Sequence, residues 1–118
     1  MFFCSNQNLN IVIYQASLKK DEAVYALYVF YESIIHKAIE CYLTYRPDAQ
    51  SYEDDMRGET YIVFYDLLQS YFIEKERIPL EAYLEQFFFF TFEEKMNHLI
   101  YNCPLNQMIE WQGDIYNV

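Results

Sequence analysis

An all-α bundle of three major helices with short terminal elements is what this chain spells out, on three counts. Apolar residues recur at steps of three and four over long stretches, the pattern of a helix with one buried side. Glycine and proline number only two and three in 118 residues, too few for the turns that a β-sandwich or barrel of this length requires. The prolines that do occur, Pro47, Pro79 and Pro104, fall where helices begin or stop.

From Asp21 to Tyr45 the residues Val24, Leu27, Tyr28, Tyr31, Ile34, Ile35, Ala38, Ile39, Tyr42 and Leu43 keep the helical step throughout. One long amphipathic helix is expected there, with Asp21 as its N-cap, Glu22 favouring the positive end of the dipole, and Arg46-Pro47 as its stop. RPDAQSYE, residues 46–53, reads as a polar connection. Asp54 and Asp55 then open a second helix running to about Phe72, with Met56, Tyr61, Val63, Phe64, Leu67, Leu68, Tyr71 and Phe72 at its apolar positions. Gly58 lies in its first turns at a cost of roughly 1 kcal/mol relative to alanine, so packing or a close neighbour is expected to hold the helix there.

Pro79 suits the first turn of a third helix, and Leu80, Tyr83, Leu84, Phe87, Phe88, Phe92, Met96, Leu99 and Ile100 carry it forward. Taken alone, FFFFTF would also fit a buried strand, but the flanking PLEAYLEQ and EEKMNHLI are strong helix formers and decide for a helix of about twenty residues. Pro104 ends it. Leu105 to Tyr116 reads as one short closing helix, and NLNIVIYQAS, before the first long helix, is ambiguous between helix and strand. Neither a repeat nor a linker interrupts the pattern, so residues 1–118 read as a single helical domain.

Composition narrows the function. Apolar residues make up 53% and aromatic residues 20%, enough to drive folding by burial despite a net charge of −10. Thirteen tyrosines and ten phenylalanines exceed what a core of this size hides, so part of the aromatic surplus is expected to face a protein partner. Eight basic residues against eighteen acidic ones disfavour direct binding of DNA or of an anionic membrane, because both draw on Lys and Arg. No apolar run is long enough for a spanning helix and no secretory pattern opens the chain, so a cytoplasmic location is expected. Cys4, Cys41 and Cys103 are odd in number and far apart, which fits reduced, mostly buried thiols better than disulfides.

No arrangement of residues points to catalysis. Glu53, Asp54, Asp55 and Glu59 lack the spacing of a calcium loop, and a metal is not expected. His36 and His98 belong to no zinc or nucleophile motif, and a meeting of His98 with Cys103 is better explained by packing. With only Gly58 and Gly113 there is no phosphate loop; neither an enzyme nor a cofactor is expected. The run Phe87, Phe88, Phe89, Phe90 is expected to pack in the core, its main rival being a partly exposed interaction patch; Glu93 and Glu94 after it argue against a platform for bases.

With these features in order, Asp21 to Tyr101 resembles region 2 of the sigma-70 family, and is most similar to the short competence-type sigma factors of Gram-positive bacteria. DEAVYALYVFYESIIHKAIECYL matches the first helix of that region. Asp55-Met56-Arg57-Gly58-Glu59 stands where the family has an Asp-Leu-x-Gln-Glu signature, with Asp55 and Glu59 matching and Gly58 replacing the glutamine. The family docks this helix on the clamp helices of the RNA polymerase β′ subunit. The resemblance therefore implies partner-binding roles for Asp55, Glu59, Tyr61 and Tyr65, and helical spacing places Ile62 and Asp66 on the face of Asp55 and Glu59. IPLEAYLEQFFFFTFEEKMNHLIYN resembles the helix that melts the −10 promoter element, with Tyr83 and Leu84 matching. The family's DNA-holding cations are here Phe, Glu and aliphatic residues, and no −35-reading region follows.

The expectation is thus a small transcription regulator working by protein contact with RNA polymerase or another regulator. Two alternatives stand beside it. One is a promoter-binding subunit that needs a second chain. The other is a self-associating helical module with the Phe run as a homodimer seam.

Overall fold

The computed structural model describes residues 3–75 and 77–101, and these form five α-helices with no strand among them. In chain order they are α1 (Leu9–Ser17), α2 (Asp21–Phe30), α3 (Glu32–Tyr45), α4 (Glu53–Ile73) and α5 (Leu80–Tyr101), with a 3-10 turn over Pro47–Tyr52 between α3 and α4. The segment expected as a closing helix, residues 105–116, lies outside the described residues.

The ambiguous N-terminal stretch is helical because Val12 and Ala16, one turn apart, are both fully buried. Asn8 ties the preceding turn together: its Oδ1 accepts from the Ser5 N–H at 2.7 Å and its Nδ2 donates to the Phe3 carbonyl at 2.8 Å. At the other end Lys19 takes a left-handed conformation, φ 64°. Its N–H reaches the Ala16 carbonyl at 2.9 Å, and the Lys20 N–H reaches that of Gln15 at 3.3 Å. This is the reversal that glycine usually supplies, and a lysine bears the steric cost here. Lys75, φ 53°, closes α4 in the same way, its N–H on the Phe72 carbonyl.

The expected helix from Asp21 to Tyr45 is two helices. Tyr31 breaks it with φ −101° and ψ 21°, ending α2 and starting α3. The Ile34 N–H takes the Tyr31 carbonyl at 3.0 Å, where an uninterrupted helix would use Phe30. The Tyr31 ring is buried and lies edge-on to that of Phe30, so the break is held by packing on both sides. A second correction concerns caps. Asp21 is the first residue of α2 and makes no capping bond, and α4 starts one residue before the Asp54-Asp55 pair, again without a side-chain cap. Both sets of carboxylates act on the helix dipole instead.

α1 packs on α2, while α5 packs against both α3 and α4. Leu27, Ile35, Tyr42, Met56, Phe64, Leu68, Leu84, Phe88, Phe92 and Met96 meet in the centre, each almost wholly removed from water. Burial of a side chain of this size contributes roughly 1.5–3 kcal/mol, so these residues supply most of the drive to fold. One polar bond lies among them: the Tyr42 hydroxyl donates to Asn97 Oδ1 at 2.7 Å, both side chains being buried. It pins α3 to α5 in one register. At the end of α5 the Arg46 guanidinium stacks 4.5 Å over the Tyr101 ring, whose hydroxyl donates to Asp48 at 2.7 Å. That clasp fixes the connection which leads into α4.

Candidate functional site

α4 buries Met56, Thr60, Val63, Phe64, Leu67 and Leu68, positions that fall on one side of a helix turning 100° per residue. Asp55, Glu59, Ile62 and Asp66 fall together on an adjoining side, with Glu59 nearest the buried face. Asp55 and Asp66 are exposed, Ile62 is 43% exposed, and Glu59 is half-buried beside α5. The four expected residues do share one outward stripe, and Ile73, 76% exposed, extends it by two turns.

Neighbours modify the charges differently along this stripe. Glu59 Oε1 lies 3.6 Å from Lys95 Nζ, a partly exposed pair of little strength. Glu53 is held by Arg57 at 2.8 Å, one helical turn on, and by Gln50. Asp55 and Asp66 have no such ion pair among the described residues. Between the acidic opening of α4 and the end of α5 runs a groove of about 450 Å³, lined by Asp54, Asp55, Gly58, Glu59, Met96 and Leu99 among others. The expectation that a close neighbour holds Gly58 is corrected here: it is exposed, and a Cβ built on it meets nothing within 4 Å.

Tyr61 and Tyr65 lie to the α2 side of the stripe, half-buried. The Tyr61 ring stands 5.0 Å from that of Tyr28, edge to face, and 6.4 Å from Tyr25. Burial, with Asp21 nearby, pushes the Tyr61 hydroxyl above its usual pKa, so it stays a neutral donor. Thr60 donates its hydroxyl to the Arg57 carbonyl at 2.6 Å, so the Tyr28 hydroxyl donates in turn to Thr60 at 2.8 Å. These bonds tie α2 to α4 and set the tyrosines in place. Sequence reasoning missed the part of this surface on α2, namely Tyr25, which is 58% exposed, and Asp21. The signal was available, since Tyr25 falls outside the Val24, Leu27, Tyr28, Tyr31 stripe and so cannot be core.

The Phe run does not act as one patch. Phe88 is 1% exposed and stacks with Phe92 at 6.2 Å, which removes it from any surface. Phe87 is partly exposed against Tyr83 at 4.9 Å, Phe89 is half-buried near Tyr45 at 6.3 Å, and Phe90 stands 69% exposed. Phe89 and Phe90 line one wall of a second groove, about 760 Å³, whose other wall is Ile34, Lys37, Cys41 and Tyr45 of α3.

Other candidates stay apart. His36 and His98 are both exposed, on α3 and α5, and Cys103 lies outside the described residues. Among the described residues no three His, Cys, Asp or Glu side chains converge as metal ligands, and no helix is long and apolar enough to cross a membrane. Compared with models of protein families, with curated proteins and with solved structures, the chain matches none.

Proposed function

We propose that the protein is a small transcription regulator that acts by protein contact, docking the outward side of α4 on a cationic surface, with the β′ clamp helices of RNA polymerase as the partner. One observation carries this reading: the exposed Asp55, Ile62 and Asp66 and the half-buried Glu59 stand in a single stripe on a helix whose other side is locked into the core. Carboxylates so placed make charge-assisted bonds to Arg or Lys, and Ile62 with the flanking Tyr61 and Tyr65 supplies apolar area at low entropic cost. The net charge of −10 steers a basic partner toward the molecule. It also keeps the isolated chain from gripping a phosphate backbone, which favours protein contact over direct promoter binding.

The test is retention of polymerase clamp helices by the immobilised chain at low and at high salt. Retention at low salt that falls as salt rises is expected. A wild-type chain that ignores the clamp helices at low salt removes this partner from the reading.

A further inference from the structure

Ile11, Tyr14 and Leu18 follow at steps of three and four, so they stand on one side of α1, and they are 62%, 64% and 54% exposed. Val12 and Ala16 on the other side are fully buried, so α1 cannot rotate to hide the stripe without emptying the core. Cations frame it. Lys19 and Lys20, both exposed, follow Leu18 at its end. Lys75, also exposed, lines a groove of about 340 Å³ together with Ile13, Tyr14 and Ser17, which places it along the flank of the stripe. Three of the eight basic residues of a chain at −10 thus gather around three neighbouring exposed apolar side chains, on a helix that holds no Asp or Glu. Such a grouping is more than the isolated apolar residues that any surface carries.

Two observations set these lysines apart. None of the three makes an ion pair among the described residues, although the chain is rich in carboxylates. Asp21 and Glu22, which follow Lys20, line a different groove, on α2 with Phe3 and Tyr25. The second observation lies in the backbone. Among the described residues positive φ occurs at two positions, Lys19 (64°) and Lys75 (53°). Each closes a helix where glycine would serve at a lower steric cost. The fold needs a left-handed residue at these two places and does not need a cation, yet both carry one, and both border the same stripe.

We propose that the α1 stripe with Lys19, Lys20 and Lys75 is a docking surface for an acidic, apolar segment of a protein partner, an amphipathic helix whose apolar side is edged by Asp or Glu. Ile11, Tyr14 and Leu18 bury the apolar side of that helix, and the lysines meet its carboxylates at the rim, where charge selects the partner. An anionic bilayer fits less well. Its surface is extended, so it also meets Glu22 and Glu74, which are exposed and close in sequence to these lysines, whereas a single helix confines contact to the stripe. The surface is opposite in sign to the acidic stripe of α4 and takes a different partner.

Fluorescence anisotropy of a labelled synthetic peptide against the full chain tests this in about 0.15 M salt, where only charges within about 8 Å act strongly. The probe is an amphipathic helical peptide with Leu at steps of three and four edged by Glu, and its control carries Gln in place of Glu. The Glu peptide is expected to bind about tenfold more tightly than the Gln peptide. Lys19→Gly/Lys75→Gly relieves both left-handed positions, so it is expected to raise the midpoint of urea unfolding and yet to weaken binding of the Glu peptide about tenfold. Ile11→Ser/Leu18→Ser, at exposed sites and checked for unchanged helical circular dichroism, is expected to weaken binding of both peptides. Equal affinity for the two peptides, or binding that survives either double variant, would overturn the proposal. Phosphatidylserine vesicles that hold the chain more tightly than the Glu peptide does, and release it in the lysine variant, would overturn it in favour of a membrane surface. Neither peptide carries a cation for the α4 stripe to hold, so the result is independent of the function assigned to α4.

Discussion

The acidic opening of α4 and the phenylalanine run of α5 are both blocks of like residues, and the fold treats them in opposite ways. On α4 Asp55, Glu59, Ile62 and Asp66 are spaced by four, three and four, and they lie together on one stripe. The four phenylalanines are consecutive, so the helix fans them through about five-sixths of a turn, burying Phe88 and leaving Phe90 69% exposed. On a helix, spacing makes a surface and adjacency does not. Function on α4 and packing on α5 should therefore be separable by single substitutions.

The largest effect is expected in the run itself. Phe88→Ala should cost about 3–5 kcal/mol in urea unfolding, whereas Phe90→Ala should stay within about 0.5 kcal/mol. Equal losses at the two sites would mean that the run is packed as a unit. Next comes the bond between α3 and α5. Tyr42→Phe strands Asn97 Oδ1 in the core, and a loss of about 1–3 kcal/mol is expected, again by urea unfolding.

Alkaline pH probes the same tyrosines from another side. Burial, chiefly, pushes Tyr31 up to about 12 from 10.0 and raises Tyr42 as well. A raised pKa means that the unfolded chain loses these protons first. Stability from this source is complete below pH 10, falls above it, and is gone for Tyr31 once pH passes about 12. The melting temperature should fall over that interval in wild type and less steeply in Tyr31→Phe. A curve unchanged by Tyr31→Phe would place the alkaline sensitivity elsewhere.

The smallest effects belong to the outward side of α4. Gly58→Ala is expected to raise stability by about 0.5–1 kcal/mol, because a Cβ there meets open space and a helical glycine carries excess chain entropy. Should it also weaken partner binding, the glycine serves the docking face at the expense of the fold.

Much of this architecture was legible in the sequence because burial imposes its period on the apolar residues. The extents of α4 and α5 follow from their steps of three and four and from Pro79. The break at Tyr31 was not legible: no glycine or proline marks it, and the apolar steps continue across it because Tyr31 itself is core. NLNIVIYQAS also resisted, since Leu9, Ile11 and Ile13 alternate as in a strand while Val12 and Ala16 keep a helical step. Contact with α2 settled the matter by burying the second pair. The stripe on α4 followed from helical spacing once the core side was known, but its continuation to Tyr25 and Asp21 depends on α2 lying beside α4, which no local pattern states.

The central claim, that the spaced acids of α4 form the docking face, is tested most directly by the affinity of polymerase clamp helices for wild type, for Asp55→Ala/Glu59→Ala and for Phe90→Ala. Two lost charge-assisted contacts should weaken binding on the order of 100-fold while stability falls by only about 1 kcal/mol, and Phe90→Ala should bind as wild type does. Wild-type affinity in the double acid variant, or a comparable loss in Phe90→Ala, would contradict the account.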